Sequence, residues 1–206
     1  MDFTHVDTLV KALDLLATFA FALVGARVAA DRGLDLGGIA FIAAVASTAG
    51  GTLRNLCLGQ RPIWITDGWI VGSIVLAFVI TVAFRTTKPI GKFLLSLDTF
   101  GLAVAAISGS KFALGHGASW FAAIILGVIT ATAGGLLRDL LCQVEPVVLH
   151  RETLATSSLV GSALYVALEN GSMNSNIIAV IGGASVVIAR SASIYLDLHL
   201  PKIKKS

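Results

Sequence analysis

Five long stretches without Asp, Glu, Lys or Arg constrain this chain more than any other feature. They cover Leu36–Leu53, Gly68–Phe84, Phe112–Leu137, Thr153–Leu168 and Asn170–Ala189. A helix needs about 20 largely apolar residues to cross the hydrocarbon core of a membrane. Two further apolar segments, Leu9–Ala30 and Phe93–Leu114, contain a few charged residues each. The sequence therefore predicts an all-α integral membrane protein with seven transmembrane helices.

The seven predicted spans lie near residues 9–30, 37–58, 69–84, 93–114, 119–142, 154–169 and 177–197. A transmembrane β-barrel would need short segments that alternate between apolar and polar residues. Only 13% of the residues are charged, against about 25% in a soluble domain, which excludes a soluble enzyme. A disordered chain is excluded because disordered chains are poor in apolar residues, whereas 56% of this chain is hydrophobic. The first span follows acidic rather than basic residues, and we therefore expect it to remain in the mature protein.

Other functional classes find little support. Two cysteines are too few for a disulfide scaffold, and a net charge of +3 does not indicate a nucleic-acid partner. No nucleophile–base pair, nucleotide-binding loop or metal-ligand spacing is evident. We therefore predict no enzyme activity, no catalytic residues, no metal and no cofactor, and membrane lipid as the surroundings.

The sequence repeats itself at a spacing of 84 residues. Residues 13–62 align without a gap on residues 97–146, with 14 identities in 50 positions. Asp14 falls on Asp98, and the segment from Thr48 to Arg54 falls on the segment from Thr132 to Arg138. The repeat unit contains three spans, an odd number, so the second copy is inverted in the membrane. We predict one membrane domain over 1–206, made of repeat one (about 9–84), repeat two (about 93–169) and a seventh helix (about 177–197).

Basic residues in the loops predict the orientation, because cytoplasmic loops carry more Lys and Arg. With the N-terminus outside, the inner side holds Arg27, Arg32, Arg85, Lys88, Lys92, Arg138, Arg151, Lys202, Lys204 and Lys205. The outer side then holds Lys11, Arg54, Arg61 and Lys111. The distribution predicts an outside N-terminus and a cytoplasmic C-terminus in the cell membrane.

A glycine pair stands in the second predicted span, Gly50-Gly51, and in the fifth, Gly134-Gly135. Glycine pairs can kink a helix, and carbonyls freed by a kink can coordinate a monovalent cation. The hydroxyls of Thr48 and Thr132, just before each pair, could add ligands. Close helix packing through small residues is the alternative. The symmetry of the pairs favours kinked helices that line a pore.

Charges inside spans usually face a partner or a water path. Depth in the membrane allows a pair between Asp14 and Arg54, and by symmetry one between Asp98 and Arg138. Arg27 is expected near Arg138 and Asp139, and Lys111 near Arg54 and Asn55. These residues could act in gating, or as salt bridges that only hold helices together. Arg190, in the last span, is expected to reach an aqueous end or a carboxylate.

These features resemble the TRIC family, the trimeric intracellular cation channels, in its prokaryotic form. The resemblance covers about residues 9–197, and its most specific elements are residues 49–55 and 133–139, each followed by a proline, Pro62 or Pro146. It implies a homotrimer in which each protomer has its own pore, lined by the second and fifth spans, for K⁺ and Na⁺. Many relatives have a third glycine and an aspartate in both copies, where this chain has Thr52, Leu136 and Asn55.

Two classes of function remain open alongside a purely structural role. The first is a passive potassium channel. The second is a secondary transporter for a small solute, such as a small amino acid, because inverted repeats and broken helices are equally typical of transporters. The sequence does not distinguish between them.

Overall fold

Helices dominate the computed structural model of this chain, which describes residues 3–84, 92–144, 153–169, 171 and 173–196. The helices are α1 (Phe3–Asp31), α2 (Leu36–Cys57), α3 (Ile63–Thr66), α4 (Gly68–Ala83), α5 (Lys92–Gly115), α6 (Trp120–Leu141), α7 (Thr153–Glu169) and α8 (Ser175–Tyr195). Five of them are long and apolar enough to cross a membrane, and α4 and α7 are shorter apolar helices. The predicted all-helical membrane fold is confirmed, and the short helix α3 is an addition to it.

The helix boundaries repeat at the same spacing as the sequence. Helices α2 and α6 have 22 residues each, and their first residues, Leu36 and Trp120, are 84 positions apart. Each is preceded by a glycine in the left-handed region, Gly33 or Gly117, where a side chain would be strained. Each begins at a side chain that caps its first turn, Asp35 or Ser119. The duplicated sequence therefore specifies the same turn and helix twice.

The helices form two bundles that pack side by side. Helices α1, α2 and α4 surround one buried apolar cluster that includes Val24, Ile42 and Ala77. Helices α5, α6, α7 and α8 surround another, around Ile107 and Tyr165. The bundles meet where α1 contacts α5 and where α2 contacts α6. Any pathway between the repeats must therefore lie among these four helices.

The outer surface of the bundles is apolar. Large exposed side chains include Phe41, Val79, Phe121, Val180 and Ile188. Water does not tolerate so extensive an apolar surface, whereas the acyl chains of a bilayer do. The protein is thus a multi-pass membrane protein. The basic residues Arg85, Lys88, Arg151, Lys202, Lys204 and Lys205, on which its predicted orientation depends, lie outside the described residues, as does Pro146.

Candidate functional site

Helices α2 and α6 cross at the first glycine of each pair. A Cβ atom on Gly50 would lie 2.0 Å from the carbonyl oxygen of Thr130 in α6. A Cβ atom on Gly134 would lie 2.0 Å from the carbonyl oxygen of Ala46 in α2. Ala46 and Thr130 are themselves equivalent in the repeat, so the crossing is symmetric. Only a residue without a side chain permits backbones to come this close.

The predicted kink in these two helices stays a prediction, because helical structure that continues through a glycine pair can still bend there. Both α2 and α6 run as continuous α-helix through their glycine pairs. Close packing, the alternative that the sequence left open, describes Gly50 and Gly134. The second glycines differ, because a Cβ on Gly51 or Gly135 would approach only the guanidinium of Arg54 or Arg138, at 4.0 and 3.7 Å. They provide space beside the crossing rather than contact across it.

The predicted pair between Asp14 and Arg54 forms on one side of the crossing. Two hydrogen bonds join the groups, at 3.0 Å from Nη1 to Oδ1 and 2.8 Å from Nη2 to Oδ2. Ser108 also donates to Asp14, and Nε of Arg54 donates to Asn55 at 2.9 Å. The guanidinium lies 4.1 Å from the centre of the Phe112 ring, a cation–π contact. Arg54 is fully buried, and the carboxylate of Asp14 neutralises its charge.

The predicted pair between Asp98 and Arg138 forms on the other side, with Nη1 and Oδ1 2.8 Å apart. Nε of Arg138 donates to Asp139 at 2.8 Å, as Arg54 does to Asn55 in the first repeat. Helix α8 adds a second cation, because Nη2 of Arg190 lies 3.5 Å from Oδ2 of Asp98. The expectation that Arg190 reaches a carboxylate is confirmed. The two ends of the site thus share a plan but differ in the number of arginines.

The two remaining cations have partners that the sequence did not predict. Lys111 is buried and donates to the hydroxyl of Ser175 at the start of α8. The same hydroxyl lies 3.2 Å from Oε1 of Glu169, which supplies the nearby negative charge. Arg27 pairs with Asp31 on its own helix at 3.1 Å. The expected positions of Lys111 near Arg54 and Asn55, and of Arg27 near Arg138 and Asp139, stay predictions.

A first cavity of about 30 Å³ lies beside the first ion pair. Its lining includes Asp14, Thr48, Gly51 and Thr52. Trp64 of α3 also lines it and donates from Nε1 to the Thr52 hydroxyl at 3.0 Å. One water needs about 10–15 Å³ by this measure, so the cavity holds about two. Oxygen atoms of hydroxyl and carboxylate groups make it suitable for water or a small cation.

A second cavity of about 10 Å³ lies beside the second ion pair. Its lining includes Asp98, Thr132, Gly135, Arg138 and Asp139. Thr48 and Thr132 each donate to the carbonyl four residues earlier, Ala44 at 2.7 Å and Val128 at 2.8 Å. Their oxygen lone pairs stay available as acceptors. The repeat thus places an aspartate, a threonine and the second glycine of a pair in each cavity.

Sequence reasoning missed several residues of this site. Phe21 lines both cavities, Trp64 covers the first, and Ser108 is a third partner of the first ion pair. Phe21 and Ser108 have no equivalent of the same type in the other repeat, where Ala105 and Val24 stand. The repeat therefore gave no signal for them.

Comparison with known families agrees with the internal repeat. A family model described as "Glycine transporter" matches the chain twice, at residues 11–86 and 95–170. A UPF0126 membrane protein of Vibrio cholerae is 32% identical over 202 residues, covering 96% of this chain and 84% of the relative. The UPF0126 inner membrane protein YadS of Escherichia coli K12 is 31% identical, covering 94% of this chain and 95% of the relative.

A solved structure shares the whole architecture. The TRIC trimeric intracellular cation channel orthologue from Rhodobacter sphaeroides superposes with a TM-score of 0.86 and is 35% identical in sequence. The match covers 93% of this chain and 100% of that chain. The two molecules therefore share one fold over nearly the whole of this chain.

Proposed function

The chain belongs to the TRIC-type family of prokaryotic membrane proteins, and we propose that it is a channel for monovalent cations, chiefly K⁺. Each protomer of a homotrimer would hold its own pore, between the two repeats. The pore would run from the first cavity, past the α2–α6 crossing, to the second cavity. The N-terminus would lie outside and the C-terminus in the cytoplasm.

One observation carries this proposal: each side of the crossing has a cavity whose lining includes a hydroxyl and a carboxylate group. Each cavity presents a threonine hydroxyl and an aspartate, Thr48 and Asp14 or Thr132 and Asp98. Hydroxyl, carbonyl and carboxylate oxygens are ligands suited to hard cations. Ion pairing neutralises the arginines beside the cavities, so they need not repel a cation. On this proposal, the small volumes of the two cavities correspond to a closed conformation of the channel.

Recordings from purified protein in planar lipid bilayers test the proposal. With unequal KCl concentrations on the two sides, we expect unitary currents that reverse near the potassium equilibrium potential. Currents that reverse near the chloride potential, or no currents at any voltage, would contradict a cation channel. Gly51→Val and Gly135→Val should reduce the currents while the trimer stays folded, because their side chains enter the cavities. A purely structural role predicts no such loss.

The alternative function is a transporter for a small solute, and the description of the matched family model names glycine. Uptake of radiolabelled glycine into proteoliposomes distinguishes the two functions. A carrier would show saturable uptake, counterflow and dependence on an ion gradient. We expect no glycine uptake above that of protein-free vesicles.

We predict that Lys111→Gln changes the voltage dependence of opening more than Arg27→Gln does. Lys111 bonds from α5 to α8 through Ser175, whereas the ion pair of Arg27 with Asp31 stays within α1. A charge that moves through the membrane field contributes about 2.3 kcal/mol per 100 mV. The effect is measured as the change in steady-state open probability when the membrane voltage is varied from negative to positive values. Glu169→Gln is the matched control, because it removes the negative charge near Lys111. Equal voltage dependence in Lys111→Gln and Arg27→Gln would contradict the prediction.

A further inference from the structure

We propose that the aromatic ring of Phe21 is the hydrophobic barrier that separates the two cavities and closes the pore. The inference rests on the proposed channel function and names the residue that controls it. Among the described residues, Phe21 is the one shared by the linings of both cavities. Its side chain is 4% exposed.

The surroundings of Phe21 show how the ring is held. A Cβ atom on Gly101 of α5 would lie 3.2 Å from Cε1 and 3.4 Å from Cδ1 of Phe21. The ring thus lies against a position of α5 that has no side chain. Leu102 and Ala131 belong to the same buried apolar cluster. The ring therefore fills the space between α1 and α5, opposite the point where α2 and α6 cross.

The crossing and the ring together close the route between the cavities. On one side, the backbones at Gly50 and Gly134 leave no room between α2 and α6. On the other, the apolar ring of Phe21 stands between one lining that contains Asp14 and Thr48 and another that contains Asp98 and Thr132. A narrow apolar segment between polar cavities excludes water, and an ion cannot pass without its hydration. Movement of one side chain would remove this barrier without breaking either ion pair.

The repeat makes this barrier one-sided. The position equivalent to Phe21 in the second repeat is Ala105, which lines the first cavity. A symmetric pore could have carried an aromatic ring from either repeat, and this chain carries it from the first. A phenylalanine at position 105 should therefore be able to replace Phe21 as the barrier, which can be tested directly.

Planar-bilayer recordings of Phe21→Ala and Phe21→Leu measure the barrier directly. We expect a severalfold rise in open probability or unitary conductance, larger for Ala than for Leu. The double variant F21A/A105F, which moves the ring to the other repeat, should return the current toward that of the unmodified protein. Phe19→Ala is the matched control, because Phe19 lies on the same helix and packs against the first bundle's core instead. Conducting unmodified protein with unchanged currents in F21A and F21L would overturn the barrier while leaving the channel in place.

A second readout does not depend on current. In a background with Cys57→Ser and Cys142→Ser, a cysteine at Thr132 reports access to the second cavity. A membrane-impermeant thiol reagent, added only on the side of the first cavity, should label it much faster with Phe21→Ala than with Phe21 present. Equal labelling rates would overturn the inference. Faster labelling in a protein that never conducts cations would instead uphold the barrier and reject the channel.

Discussion

Gly50→Ala is expected to destabilise the protein severely, whereas Gly51→Ala one residue later is not. The new methyl group at position 50 would lie 2.0 Å from a backbone oxygen of α6, and a backbone cannot yield as the end of a side chain can. Overpacking in a core costs about 1–3 kcal/mol and sometimes more, and we expect the upper end. The loss should appear as a lower melting temperature in detergent and a lower yield of folded protein.

The neighbouring glycine provides the control. A Cβ atom at position 51 would find its nearest neighbour at 4.0 Å, so Gly51→Ala should gain up to about 1 kcal/mol from helix propensity. The second repeat supplies an independent copy of the experiment, with Gly134→Ala as the damaging change and Gly135→Ala as its control. Equal melting temperatures for Gly50→Ala and Gly51→Ala would show that the helices do not cross as closely as described.

Asp98→Asn is expected to be the most destabilising neutralisation of a carboxylate at the two ion pairs. Asp98 faces two buried arginines, Arg138 and Arg190, and its removal leaves Arg190 in the protein interior without that carboxylate. Breaking a buried ion pair on one side costs about 3–5 kcal/mol. Asp14→Asn should cost less, because Arg54 keeps the Asn55 side chain, Ser108 and the Phe112 ring. Unfolding free energies of the two variants measure the difference.

Removal of the extra cation should reverse part of this loss. Arg190→Met in the Asp98→Asn background takes away the charge that has lost its partner, so the double variant should be more stable than Asp98→Asn alone. Lys11→Gln, an exposed change on α1, controls for loss of charge in general. Strictly additive effects of the Asp98 and Arg190 changes would exclude the coupling through α8.

The ion pairs show how far sequence reasoning reaches in a membrane protein. The first was predicted from depth in the membrane and the second from the symmetry of the repeat, because a charge inside a span usually faces a partner or a water path. Depth and symmetry did not predict Ser108 as a third partner, and they left open which carboxylate Arg190 would reach. Ser108 and Arg190 reach the pairs from α5 and α8, and their approach depends on how those helices are rotated.

The sequence by itself determined the helical form of the apolar segments, their place in a membrane and the internal duplication. Hydrocarbon offers no hydrogen-bond partner to a backbone, so long uncharged apolar stretches must become helices. A repeat unit with an odd number of spans places its second copy upside down in the membrane. Only the tertiary structure decided that Gly50 packs and Gly51 does not, and that Phe21 rather than Phe19 reaches the cavities. Successive residues on a helix point about 100° apart. Both the lipid-facing and the bundle-facing sides of these helices are apolar, so polarity alone does not reveal which side faces the pore.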